Sequence, residues 1–173
     1  MEKKLSIVFG LLTGGMWFGE IILGNLGGTS VFRNIRDVHP RIYALAGWFA
    51  LGAVGVTAMG GLVAAYRTGR IAAALRVGVW SGLINGGIVF VIVTGVAILF
   101  HAALMQDPSN IHEFARTAHR ALTETELSSF LYWDALGGAL NHLWIGPLLG
   151  LTVGGVGAIV GKSWRNRARI LAP

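Results

Sequence analysis

Of 173 residues, 54% are hydrophobic and only 13% charged, and the mean hydropathy is +0.63, too little polar surface to clothe a water-soluble globule. The net charge of +6 at pH 7 comes without a basic stripe interleaved with aromatics, which argues against a nucleic-acid partner. With no cysteine in the chain, disulfides, thiolate metal ligands, cysteine nucleophiles and thiol redox chemistry are excluded.

Four apolar runs, at about 5–28, 42–66, 77–105 and 136–161, each reach the ~20 residues needed to cross ~30 Å of hydrocarbon. The predicted fold class is an all-α integral membrane protein, a four-transmembrane-helix bundle forming one domain over 1–173. An extra amphipathic helix is expected in the third loop. The 26 glycines sit mostly inside the apolar runs, where they read as packing residues rather than as signs of disorder.

The first run follows a basic Met-Glu-Lys-Lys start and has some features of a signal peptide. Its length, the interruption at Glu20 and the lack of an Ala-x-Ala site favour a retained span. Glu20 is the acidic residue well inside a span, and a carboxylate near the bilayer centre costs several kcal/mol unless paired, hydrated or protonated. Asn25 lies further along the same run and Trp17 just before it.

The second run is bracketed by Tyr43 and Trp48 at one end and Tyr66 at the other, and Trp80 and Trp164 mark ends of later spans, as an interfacial aromatic belt should. The short basic loop around Arg67–Arg76 predicts an antiparallel hairpin of spans two and three. The third run carries Gly78, Gly82 and Gly86 at four-residue spacing, and Ser81 and Asn85 on one face.

Beyond it, Asp107-Pro108 reads as an N-cap followed by proline at the first helical position, opening a helix over about 108–122. Ile111, Phe114, Ala115, Ala118 and Leu122 form its apolar face, and Glu113, Arg116, His119 and Arg120 its polar one, so it is expected to lie on the outer membrane surface. Thr123 with Glu126 forms a capping box, so a new helix begins near 124. If unbroken to Gly161 it is longer than a bilayer needs, with Gly137-Gly138 the expected bend and Pro147 a kink.

The fourth run carries Gly146, Gly150 and Gly154. Antiparallel placement predicts contact between spans three and four, with Gly82 and Gly86 near the depth of Gly150 and Gly154. The competing use of such ridges is a homo-oligomer seam or a contact in a larger membrane complex. Asn141, His142 and Trp144 fall in the same half of the bilayer as Glu20, predicting a polar vestibule from Glu20, Asn25, Asn141 and His142.

Orientation follows from the basic residues. With both termini in the cytoplasm, Lys3, Lys4, Arg67, Arg70, Arg76, Lys162, Arg165, Arg167 and Arg169 lie inside, against Arg33, Arg36, Arg41, Arg116 and Arg120 outside. Without an organellar targeting signal, a bacterial inner membrane is the default location.

No catalytic motif stands out. His112-Glu113 and His119 lack the His-Glu-x-x-His spacing, Trp80-Ser81-Gly82 lacks the glycines of a nucleophile elbow, and Gly154-Gly155-Val156-Gly157 lacks the ending of a phosphate loop. Three functions compete. The first is a transporter or ligand-binding protein in which Glu20 exchanges a proton or meets a cationic substrate beside Trp17 and Trp144. A single membrane-embedded glutamate in the first of four helices resembles the architecture of the small multidrug-resistance transporters, from which this longer chain departs in its extended third loop. The second is a haem-binding electron carrier with His101 and His142 as axial ligands. The third is an accessory or assembly subunit whose polar residues only join helices.

Overall fold

The computed structural model describes residues 1–118 and 123–171, and among these it is all-helical. Helix α1 (Glu2–Leu26) leads through a 3-10 turn (Ser30–Phe32) to α2 (Ile35–Val38), α3 (Pro40–Tyr43) and α4 (Leu45–Thr68). Then follow α5 (Ile71–Leu99), α6 (His101–Met105), α7 (Pro108–Ala118) and α8 (Glu124–Leu171). Four helical stretches, ending in α1, α4, α5 and α8, are long and apolar enough to cross a membrane.

The boundaries shift from those expected in ways that have local causes. α5 begins at Ile71 rather than 77, because nothing in Ala72-Ala73-Ala74 opposes a helix and Arg76 is held by Glu2 at 3.0 Å. It ends at Leu99 rather than 105, because Phe100 leaves helical geometry at φ −114° and ψ 19°. α8 runs without a break through Gly137-Gly138 and Pro147 for 48 residues, about 72 Å at 1.5 Å each. The expected bend at the glycine pair does not interrupt it. Thr123 caps it as foreseen, its hydroxyl accepting from the Glu126 amide at 3.3 Å and bonding the Glu126 carboxylate at 2.8 Å.

The four long helices form a ring in which α1 packs on α4 and α5, and α8 packs on α5 and α4. The hairpin partners α4 and α5 touch less, across one diagonal, while α1 and α8 scarcely touch across the other. Around α8 the packing is backbone against backbone. A Cβ on Gly78 would strike the Gly150 carbonyl and one on Gly150 the Gly78 carbonyl, and Gly82 and Gly146 have the same reciprocal relation. The α5–α8 seam is therefore internal, with a register about two turns from that expected: Gly82 meets Gly146, and Gly86 meets His142 and Leu143. Gly154, Gly157 and Gly161 face α4 instead, against Gly61, Ala58 and Leu62.

The bundle has two unlike ends. Toward the termini the core is small, with Ala64, Ala65, Ala74, Val77 and Ala158 around Leu5. At the loop end it is bulky, with Ile21, Leu26, Val89, Val96 and Leu104 joined by Phe114 of α7 and by Leu127 and Leu131 of α8.

Helix α7 thus turns its apolar face onto the protein, Phe114 lying 5.1 Å from the Phe130 ring. This differs from a helix resting on the membrane alone. The expected His119, Arg120 and Leu122 of its faces lie outside the described residues.

The loops at this end are clasped together. Asp107 caps α7 as expected, accepting from the Ser109 amide at 2.9 Å and its hydroxyl at 2.7 Å. Arg36 reaches across from the first loop to Asp107 at 3.1 Å and to the Ser109 hydroxyl at 2.9 Å. Two consecutive left-handed residues, Arg33 and Asn34 at φ 51° and 52°, turn the first loop so that Arg36 can do this. Burial opposes the charge of Asp107, but Ser109 and Arg36 outweigh it and hold its pKa below the ordinary aspartate value.

Candidate functional site

Along α1, Gly10 and Gly14 seat against Ile84 and Ile88 of α5, while Phe9 and Met16 meet Gly60 and Gly52 of α4. Glu20 continues the line of Thr13 and Met16 and so faces inward, half-buried. Its carboxylate lies along the helix toward Gly24, where an added Cβ would sit 3.5 Å from Oε1. Among the described residues no Lys, Arg or His comes within ion-pair distance, 4.0 Å, of it.

From α8, His142 points into the space left between the two helices that do not pack. Its Nδ1 lies 2.8 Å from the Gly138 carbonyl, which can only accept, so Nδ1 carries a proton and donates it there. The Trp17 ring stands edge-on to the imidazole, 5.6 Å between centroids and 77° between planes. His142 is within electrostatic reach of Glu20. Trp17, Glu20 and His142 therefore form one group across the open diagonal, Trp17 and Glu20 sharing a face at three-residue spacing.

The other expected members fall elsewhere. Asn25 is exposed and spends its amide on the Ile21 carbonyl at 2.9 Å. At 3.6 residues per turn it is rotated about 140° from Glu20. Asn141 is exposed, and Trp144 is 76% exposed on the outer face of α8. Of the four polar residues expected in a vestibule, Glu20 and His142 lie beside Trp17, and Asn25 and Asn141 are exposed.

Nor are the two histidines considered as haem ligands brought together. His101 stacks on Tyr132 at 4.4 Å and 8°, with Nε2 2.9 Å from the Ser128 hydroxyl, whereas His142 serves the α1–α8 gap. His101 lines a separate loop-end cavity of about 710 Å³ with Gln106, Glu124 and Ser128. No group of three or more potential metal-binding side chains occurs among the described residues.

Below Glu20 the interior stays polar, where the sequence had placed Ser81 and Asn85 on one face of the third span. Thr13, Thr57 and Asn85 are 5%, 8% and 3% exposed. The α1 contacts at Phe9, Gly10 and Gly14 put all three at similar depth. Thr57 bonds the Ala53 carbonyl at 2.8 Å, while Asn85 Oδ1 is buried without a partner, an arrangement that leaves an acceptor for water or a cation. The sequence signal for this layer was weak, because threonine and asparagine are common helix glue.

Comparison with protein-family models, with curated proteins and with solved structures finds no match for this chain.

Proposed function

We propose that this is a small multi-pass membrane transporter or ligand-binding protein in which Glu20 takes up a proton or a cationic ligand. The observation that carries the reading is a half-buried carboxylate inside a membrane-length helix with no cation within 4.0 Å among the described residues. Such a group pays for its desolvation only if protonation or a ligand follows. Trp17 supplies an aromatic surface for a cation, and His142, its Nδ1 fixed by Gly138, stands edge-on to that ring. Thr13, Thr57 and Asn85 extend the polar interior away from it. The charge distribution supports cytoplasmic termini and a cell membrane, with Glu20 in the outward half.

The test is binding of tetraphenylphosphonium to detergent-purified protein from about pH 5 to about pH 8, since only an ionised carboxylate attracts the cation. Wild type should bind more tightly as pH rises, and Glu20→Gln should fold normally and lose both binding and its pH dependence. Binding that survives Glu20→Gln unchanged overturns the reading.

A second reading, an assembly subunit in a homo-oligomer or larger membrane complex, is favoured by a different observation. Gly47 and Gly55 on α4 and Gly87 and Gly95 on α5 meet nothing within 4 Å in their own chain, a surface suited to close approach by another helix. Loss of a co-purifying complex on Gly87→Leu, with tetraphenylphosphonium binding absent from wild type, supports this role.

A further inference from the structure

The termini end of the bundle holds a charged groove that the Glu20 site does not use. It lies where the last turn of α4 meets the end of α8, has a volume of about 370 Å³ and is lined by Tyr66, Arg67, Arg165, Ala168 and Arg169. Arg165 is fixed in place, its Nη1 donating to the carbonyls of Tyr66 and Arg67 at 3.3 and 3.0 Å. Those carbonyls are left over at the helix C-terminus, where a cation is favoured. Gly69 ends α4 at φ 72°, and a Cβ there would lie 2.7 Å from the same guanidinium. Arg169 stands one turn along α8 from Arg165, on the same face.

Three guanidinium groups thus converge, and no carboxylate of the described residues pairs with any of them. The contrast at the same end is Arg76, which Glu2 neutralises through two bonds of 3.0 Å. The groove begins one turn beyond Gly161, the last glycine packed into the bundle. Tyr66 in its lining and Trp164, next to Arg165 in sequence, are 45% and 54% exposed, as aromatic rings are at the level of lipid headgroups.

We infer that this groove binds the phosphate of an anionic phospholipid headgroup, with Arg67 and Arg169 as the free guanidinium groups and Arg165 as the fixed one. Guanidinium pairs bind phosphate oxygens in a bidentate way that zwitterionic headgroups oppose with their own cation. The inference rests on the membrane reading and not on the Glu20 site.

The experiment counts lipids bound to the full chain in neutral detergent by native mass spectrometry, comparing phosphatidylglycerol with phosphatidylcholine of the same acyl chains. Wild type should prefer phosphatidylglycerol by roughly tenfold, two unpaired arginines near the surface each contributing. The Arg67→Gln, Arg169→Gln double variant should lose that preference, and Arg76→Gln should keep it. Should the double variant fail to fold, wild type in about 1 M salt, where screening shortens to ~3 Å, should lose the preference too.

Equal binding of the two lipids, a preference kept by the double variant, or one indifferent to salt overturns the inference. So does inorganic phosphate that displaces phosphatidylglycerol at equal concentration, which would assign the groove to a soluble anion. A chain that stays dispersed without detergent would instead overturn the membrane reading itself.

Discussion

The two ends of this bundle are built on different principles. At the termini end, helices approach until glycine Cα meets carbonyl, Gly78 on Gly150 and Gly61 on Gly154, and almost no side chain intervenes. At the loop end the helices are held apart by Phe114, Leu127, Leu131 and Ile21, and the loops are tied by the Arg36–Asp107 clasp. Close backbone packing brings α8 against α5 and α4, whereas α1 and α8 scarcely pack on one another, and Trp17, Glu20 and His142 lie between them.

The largest expected effect breaks the closed end. Gly78→Leu places four carbons where the Gly150 carbonyl already is, so it should destabilise the fold by about 3 kcal/mol or more, as overpacking in a rigid interior does. Thermal unfolding in detergent, with size-exclusion chromatography to check folding, measures it. A variant that unfolds like wild type and only dissociates from copies of itself would place this seam between chains.

A middle-sized effect tests the clasp. Asp107 is 3% exposed at its side chain and its partner Arg36 24%, so Arg36→Met, which leaves that carboxylate buried without its cation, should cost about 2–3 kcal/mol, at or just below the range for broken buried pairs. The sign of the pH dependence follows from the lowered pKa of Asp107. A carboxyl that folds with a depressed pKa contributes stability fully present above its unfolded value, near pH 4, and lost as pH falls through the folded value below it. Unfolding temperature should therefore drop below about pH 4 in wild type and far less in Asp107→Asn. Equal acid sensitivity in the two would remove the clasp from this account.

The smallest effect is the control for the first. Gly87 lies on α5 as Gly78 does, but nothing stands within 4 Å of its Cβ position. Gly87→Ala should thus change stability by less than about 1 kcal/mol and in the stabilising direction, since alanine loses less entropy in a helix. A large loss there, against tolerance at Gly78, would invert the packing described above.

Much of this was legible one residue at a time. Membrane-length helices follow from apolar run length against hydrocarbon thickness, and the Asp107 and Thr123 caps follow from side chains that bond amides two or three residues away. Although the register between helices was not readable, distance along one helix was, since each residue adds 1.5 Å. Azimuth was not. Asn25, Asn141 and Trp144 are exposed, because a direction around one helix means nothing until its neighbours are placed. The register of Gly82 on Gly146, the sparse packing of α1 on α8, and the pairing of Arg36 with a residue 71 positions away depend on how helices cross. Crossing is set by the fit of all four surfaces at once, and no single segment carries that information.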